Sequence, residues 1–515
     1  MPEQNDLGTV ISTLEGPSPG NVDFVVNLPE MVLHRGQFVE MSYSEGTLIA
    51  MIVDLIKTNR YFERADSVKE FEASGKKMLE VFPTGEWEYL IAKTKPLGVF
   101  SPDGRVKRAT SPISPGTKVR LAGNEKLHKF LGLDSANGLH IGNVEFHDLP
   151  VSLNLTRLFQ KHLSILAQSG SGKSYLVSVM IEELLKRKKE SGRLAAIVFD
   201  VHGEYINFGE AITDSKHEDY SNKTKVVKAR DIRIGVPKLS AAILNSIIPD
   251  LSSAQVRDVA RIIEQLRRNM QATGPFDFRD VKNAISADSE IKDSTKAALI
   301  GWLSGLEYLN LFARTDAPSI TDLIAPGELT VIDFSDIVNQ RKKQIIVSYF
   351  LRRLFDSRRS KHIPPFVAVI EEAHQFAPAM AKEESAISKG IIETIAREGR
   401  KFGASVCLIS QRPKRLSTTA LSQCNTHIIL RITNPYDLKH IGESSEGLDQ
   451  RSQDMISSQR VGEALIVGEA TNYPVFVKIR ERKSLESSHE VPLEKAALDF
   501  EARKEKAGEE TEEFL

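Results

Sequence analysis

The stretch LSILAQSGSGKSYLVSVM, residues 163–180, decides how the chain is read. An apolar run leads directly into a Gly/Ser loop, a lysine, and a pattern of apolar residues at helical spacing. The run predicts a buried strand, and the pattern after it predicts a helix over 174–189. Between them, Ala167-Gln168-Ser169-Gly170-Ser171-Gly172-Lys173-Ser174 follows the phosphate-loop pattern G-x-x-x-x-G-K-[ST], with alanine at the first glycine. Gly170 and Gly172 let the backbone curl until successive N–H groups face a phosphate. The helix behind them aims its positive end at the same anion. Lys173 is expected to reach the outer phosphates of ATP, and the Ser174 hydroxyl to meet Mg²⁺. The nucleotide-binding stretch is Ser169, Gly170, Ser171, Gly172, Lys173, Ser174 and Tyr175.

Hydrolysis needs acidic groups as well. PFVAVIEEAH is an apolar strand that runs straight into Glu371-Glu372. Carboxylates at the end of a buried parallel strand sit where such sheets bind ligands. Glu371 is expected to orient Mg²⁺ through a water, and Glu372 to act as general base. IVFDVHGEY brings Asp200 to a second strand end, as a further metal ligand or as an ordinary turn residue. CLISQRP ends a third strand at Gln411, whose amide could sense the γ-phosphate. AREGRKFG carries Arg397, Arg400 and Lys401 on a helix. A guanidinium suits charge stabilisation on a transferring phosphoryl group, and one supplied by a neighbouring subunit would make hydrolysis depend on assembly.

Outward from this centre, the alternation of strand and helix predicts a mostly parallel sheet covered on both faces. The strands are LSILA, 194–200, 328–335, PFVAVIEEAH, ASVCLISQ and NTHIILRI. Residues 238–312 interrupt the rhythm with helical patterns and read as an insertion. Residues 1–100 hold short β-branched segments separated by turn residues, which predicts a small barrel with a hairpin turn in SYSEGT. GLHIGNVEF reads as a hairpin turning near Gly142-Asn143. The expected layout is a barrel over 1–100, a partly β connector over 101–149, core over 150–237 and 313–484 around the insertion, and a charged, helical arm over 485–515.

Net charge is −1, from 68 basic and 69 acidic residues. A protein coating the outside of DNA carries a basic excess, so any nucleic-acid contact here must be local. The basic clusters are 222–233, 339–344 and 412–415, read as lying on loops or helix ends. Two cysteines, Cys407 and Cys424, make no disulfide framework or zinc pattern. No apolar run reaches membrane-spanning length, and no secretory signal pattern opens the chain, so a cytoplasmic protein is expected.

Taken together and in order, LSILAQSGSGKS, FDVHGEY, VIEEAHQFAP, REGRKFG and ISQRPKRLS resemble the HerA family of hexameric DNA translocases, relatives of FtsK and of conjugative-transfer ATPases. The resemblance implies a RecA-like P-loop NTPase core behind a small β-barrel, the HAS domain. It implies an ATP-driven ring of six identical subunits that moves double-stranded DNA, with a NurA-type nuclease docked on the barrel, in DNA end resection and double-strand break repair. Carried over, Lys173 and Ser174 are the Walker A pair and Glu371-Glu372 the Walker B pair. Gln411 falls at the sensor, and Arg397 and Arg400 cover the trans-arginine region. Two alternatives use the same nucleotide site: a nucleotide-gated scaffold for a partner effector, and a conjugation or export motor.

Overall fold

The computed structural model describes residues 6–12, 16–27, 32–59, 62, 65–75, 88–380, 386–444, 448–487 and 493–512, with side chains in the last stretch to residue 502. Among them, the first strands are β1 (Gly8–Val10), β2 (Val22–Val26), β3 (Phe38–Tyr43), β4 (Gly46–Asn59), β5 (Glu88–Phe100), β6 (Val106–Lys107) and β7 (Lys118–Leu121). The hairpin of β8 (Leu139–Val144) and β9 (Pro150–Leu153) precedes β10 (Leu163–Leu166). Next come β11 (Ala195–Asp200), β12 (Thr224–Lys228), β13 (Ile234–Gly235) and β14 (Phe312–Ala313). The remaining strands are β15 (Leu329–Asp333), β16 (Phe366–Ile370), β17 (Ala404–Ser410), β18 (Thr426–Leu430), β19 (Glu463–Gly468) and β20 (Val475–Ile479). The chain divides into two compact units, Met1–Leu176 with Ser410–Glu481, and Val177–Ile409 with Arg482–Leu515.

In the first unit, β2-β1-β7-β3-β4-β5 pair in that order, and β2 pairs back onto β5. That closure makes a six-stranded antiparallel barrel and removes its open edges. The two-residue turn Ser44-Glu45 joins β3 to β4 inside the expected SYSEGT turn. β4 bends around the barrel through register shifts at Ile49/Ala50 and Ile52/Asp54. Phe24, Met41, Ile52, Ala92 and Val119 are buried in one apolar cluster inside. Because β7 is one of its strands, the barrel reaches Leu121 rather than stopping near residue 100.

The rest of the first unit is the strand order β10-β18-β19-β20-β8-β9. β10 and β18 are parallel, and the others join antiparallel. The turn expected at Gly142-Asn143 does not form. Both residues lie within β8, where a bulge sits between His140 and Gly142 and the Gly142 φ is 159°. The chain reverses after Val144 instead. A Cβ on Gly142 would fall 2.1 Å from the Lys478 carbonyl oxygen, so the glycine there answers a close strand approach. The barrel is fixed to this sheet by polar contacts. Phe38 N–H donates to His147 Nε2 at 3.0 Å, and Lys95 Nζ meets Asp449 at 2.7 Å.

The second unit is built on five parallel strands in the order β12-β15-β11-β16-β17. β11, β15 and β16 are buried along their whole length. β12 lies at the edge in the 222–233 cluster, which the sequence pattern had assigned to loops or helix ends. Its pattern of lysines and partly exposed valines is that of an edge strand, where lysine discourages further pairing. The insertion contains helices Ala241–Ile247, Ser253–Thr273, Phe278–Ala287 and Asp293–Glu307, with β13 and β14 pairing at its neck. Capping boxes at Ser252/Gln255 and Asp277/Asp280 start two of them. The C-terminal arm holds the helix Leu493–Glu512, and residues 513–515 lie outside the described residues.

Candidate nucleotide site

In the first unit, β10 ends at Leu166, and helix Lys173–Lys186 begins seven residues later; the unit includes its first turn, to Leu176. Gly170 and Gly172 have φ of 73° and 93°, a left-handed backbone that favours glycine. Ala167 is not among the positive-φ residues, so the methyl group in place of the usual first glycine brings no backbone strain. Its N–H donates to the Ser410 carbonyl at 3.2 Å, which puts the neighbouring Gln411 next to the loop's anchor point. Ser171 Oγ donates to the Gln168 carbonyl at 2.7 Å and stiffens the turn from inside. Ser169 and Gly170 are exposed, Ser174 and Tyr175 half-buried, and Lys173 buried.

The sequence reading passed over Gln168, yet it staples the loop. Its backbone N–H donates to the Arg431 carbonyl at 3.0 Å. Its Oε1 accepts from Thr433 N–H at 3.1 Å and from Thr433 Oγ1 at 2.9 Å. Opposite, a Cβ on Gly172 would lie 3.5 Å from Gly462 N, so the turn before β19 borders the loop. These neighbours are far away in sequence, and no local pattern signals them.

In the second unit, the register of the parallel strands aligns Asp200 with Asp333 and brings Glu371 beside Asp200. Glu371 Oε2 accepts from Val201 N–H at 2.8 Å and His202 N–H at 3.2 Å. The Asp200 carboxylate accepts from the N–H groups of Gly203, Glu204 and Tyr205 at 2.8, 3.0 and 2.9 Å. Burial raises the Asp200 carboxyl above its ordinary range, against those amides and a hydrogen bond with Glu371. Lys343, on helix Gln340–Arg359, is buried near this acidic edge. Burial lowers its ammonium, while Glu371, Asp333 and Asp336 hold it charged. Neither Asp333 nor Lys343 stood out in the sequence, because strand register brings the first, and a neighbouring helix the second, to this acidic edge.

Glu372 follows with φ 47° and ψ 46°, a left-handed conformation that costs a side-chain-bearing residue of order 1 kcal/mol. Its Oε2 lies 3.2 Å from His374 Nδ1. Arg397 ends helix Lys389–Glu398 with its side chain half exposed, 4.0 Å from Glu393. Arg400 and Lys401 follow on a short 3-10 turn and are exposed. Two basic clusters converge in this unit. Arg230 Nε is 3.4 Å from Asp336, and Arg233 lies near enough to Lys342 to lower its ammonium further, after burial. The third cluster belongs to the first unit, where Lys414 Nζ lies 4.9 Å over the Tyr436 ring.

Residues 139–354 match the family described as Helicase HerA, central domain. The DNA double-strand break repair helicase HerA of Saccharolobus solfataricus is 29% identical over 472 residues, covering 88% of this chain and 89% of that one. Over most of its length the chain is similar to HerA-family helicases. It is also 29% identical to a probable helicase of Methanocaldococcus jannaschii over 86% of each. VirB4 of Thermoanaerobacter pseudethanolicus aligns with 68% of it at a TM-score of 0.53 and 15% identity, covering 98% of VirB4. That likeness concerns the fold alone. The protein is an ATP-binding, ATP-hydrolysing enzyme. Among its described residues, no helix is long and apolar enough to cross a membrane.

Proposed function

We propose that this protein is a motor that moves double-stranded DNA through a homo-hexameric ring at the expense of ATP. We assign it to DNA end resection in double-strand break repair in the cytoplasm, with a NurA-type nuclease as partner. The names of its HerA relatives support the repair role. The observation that carries the DNA half is the gathering of Arg230, Arg233 and Lys342 around Asp336 in a chain of near-neutral net charge. Cations gathered in one place bind phosphates without reading sequence.

In this reading, the N–H groups of 170–174 and the Lys173 ammonium hold the triphosphate. Among the described residues no group of three or more His, Cys, Asp or Glu could hold a metal unaided. That suits Mg²⁺, which keeps waters and takes most of its ligands from nucleotide phosphates. Ser174 would supply a hydroxyl to hold it, and Glu371 would orient it. When bound, Mg²⁺ supplies neutralisation of phosphate charge. Asp200, with both oxygens engaged by backbone amides, shapes the loop that supports Glu371 rather than ligating metal. Glu372 takes the proton of the attacking water, and Gln411 senses the γ-phosphate. Arg397 or Arg400 of a neighbouring subunit stabilises the charge that develops in transfer.

The test is displacement of the third strand from a triplex-bearing linear duplex. Wild-type protein with ATP is expected to strip the strand, and Glu372→Gln to bind ATP and leave the strand in place. ATP hydrolysis by wild type without any displacement would refute the motor reading.

A further inference from the structure

Gln344 is buried on the second turn of helix Gln340–Arg359, and its carboxamide is used at both ends. Its Nε2 donates to the Gln375 carbonyl at 2.8 Å, and its Oε1 accepts from Ile387 N–H at 3.1 Å. Only one orientation of the amide satisfies both partners, so the assignment of its nitrogen and oxygen is fixed by the network. Gln340, one turn earlier on the same helix face, donates from Nε2 to the same carbonyl at 3.1 Å. Gln375 closes the short turn that begins at Glu372, with its N–H donating to the Glu372 carbonyl at 2.8 Å. Ile387 immediately precedes Ser388 and the helix Lys389–Glu398 that carries Arg397. Ser388 Oγ donates to the Phe376 carbonyl at 2.7 Å, a second link between that helix and the Glu372 turn.

From this network we infer that Gln344, assisted by Gln340, is a positioning residue that sets the Glu372 turn for hydrolysis and ties it to the basic helix start at Arg341–Lys342. The inference rests on the assignment of Glu372 as general base. Three elements meet at one side chain: the turn bearing the base, the helix bearing Arg397, and the helix whose first turn carries the converging cations. Glu372 sits in a left-handed conformation, which persists only where surrounding structure holds it. Two amide donors on the carbonyl three residues beyond it are such a hold. DNA phosphates at Arg341 and Lys342 would press on the turn that carries Gln340, and through Gln340 and Gln344 on Gln375. The device couples duplex binding to placement of the base without either glutamine touching nucleotide.

The experiment measures steady-state ATPase with and without linear duplex DNA for Gln340→Met, Gln344→Met and Gln344→Glu, with Glu372→Gln as reference. Methionine keeps the volume and removes both hydrogen-bonding ends, while glutamate keeps the acceptor for Ile387 and loses the donor. Gln340 is only half-buried, so its variant reports even where Gln344→Met fails to fold. Expected are an unchanged KM for ATP, a kcat lower by about 10- to 100-fold, and loss of stimulation by duplex. A kcat and DNA stimulation equal to wild type in folded Gln340→Met and Gln344→Glu would overturn the inference. So would KM and kcat moving together with a fall in melting temperature, which marks a structural role only. Wild-type turnover in Glu372→Gln would instead sink the assignment of the base.

Discussion

His147 offers a perturbation whose size follows from its surroundings. Its Nε2 accepts the Phe38 N–H at 3.0 Å, where the start of β3 meets the loop between β8 and β9. The neighbouring Phe146 ring stacks on His34 with centroids 4.0 Å apart. Burial lowers the His147 imidazole from 6.5 to about 4. A proton on Nε2 would set two donors facing each other across that contact. Because the folded value lies below the unfolded one, the unfolded chain binds the proton first as pH falls. The contribution of His147 to stability is complete above about pH 6.5, is lost as pH falls from there toward 4, and changes no further below that. The full swing is about 3 kcal/mol, of which about 2 kcal/mol is gone by pH 5. Glu145, two residues away, acts in the opposite sense. Burial and then Glu463 raise it from 4.5 to about 7, so its contribution is lost as pH rises through that window. The overall pH profile therefore blends the two, and the informative quantity is wild type minus His147→Gln. Glutamine can still accept from Phe38 but does not titrate. Hydrogen exchange at the Phe38 amide from pH 8 to pH 5 should lose protection in wild type, relative to the variant, by about 2 kcal/mol. Equal protection in the two proteins across the range would refute the reasoning.

Other consequences can be checked separately. Gly170→Ala places a methyl group in open space, so its cost is the left-handed backbone alone; ATP affinity by titration calorimetry should fall roughly tenfold, for about 1–2 kcal/mol. The double variant Arg233→Ala, Lys342→Ala should weaken binding to all duplex sequences alike and reduce the slope of log K against log salt by about 1–2, measured by fluorescence anisotropy. Phe24→Ala in the barrel interior should destabilise the barrel by about 3–5 kcal/mol in denaturant unfolding, leaving a cavity where the buried ring now packs.

The nucleotide loop was legible because its evidence is local: an apolar strand, two glycines flanking Ser171, a lysine and a helix, all within eighteen residues. The buried parallel strands β11, β15, β16 and β17 were legible for the same reason, as short apolar runs. β12 was not, since an edge strand with lysines facing solvent lacks that run. β8 was recognised as β structure but misread at Gly142, where a glycine that admits a neighbouring carbonyl looks, in sequence, like a glycine that makes a turn. The Glu371-Glu372 pair announced itself at a strand end. Asp333, Lys343 and Gln344 did not, because strand register or a helix lying beside the turn brings them to the acidic edge. Gln168 was hidden similarly, its partners Arg431 and Thr433 lying beyond β18.

The central claim is that one P-loop drives DNA movement, and steady-state ATP hydrolysis with and without linear duplex DNA tests it most directly. The account predicts hydrolysis that rises on adding duplex in the wild type and is abolished in Lys173→Ala under both conditions. Hydrolysis indifferent to duplex in the assembled wild-type protein, or persisting in Lys173→Ala, would contradict it.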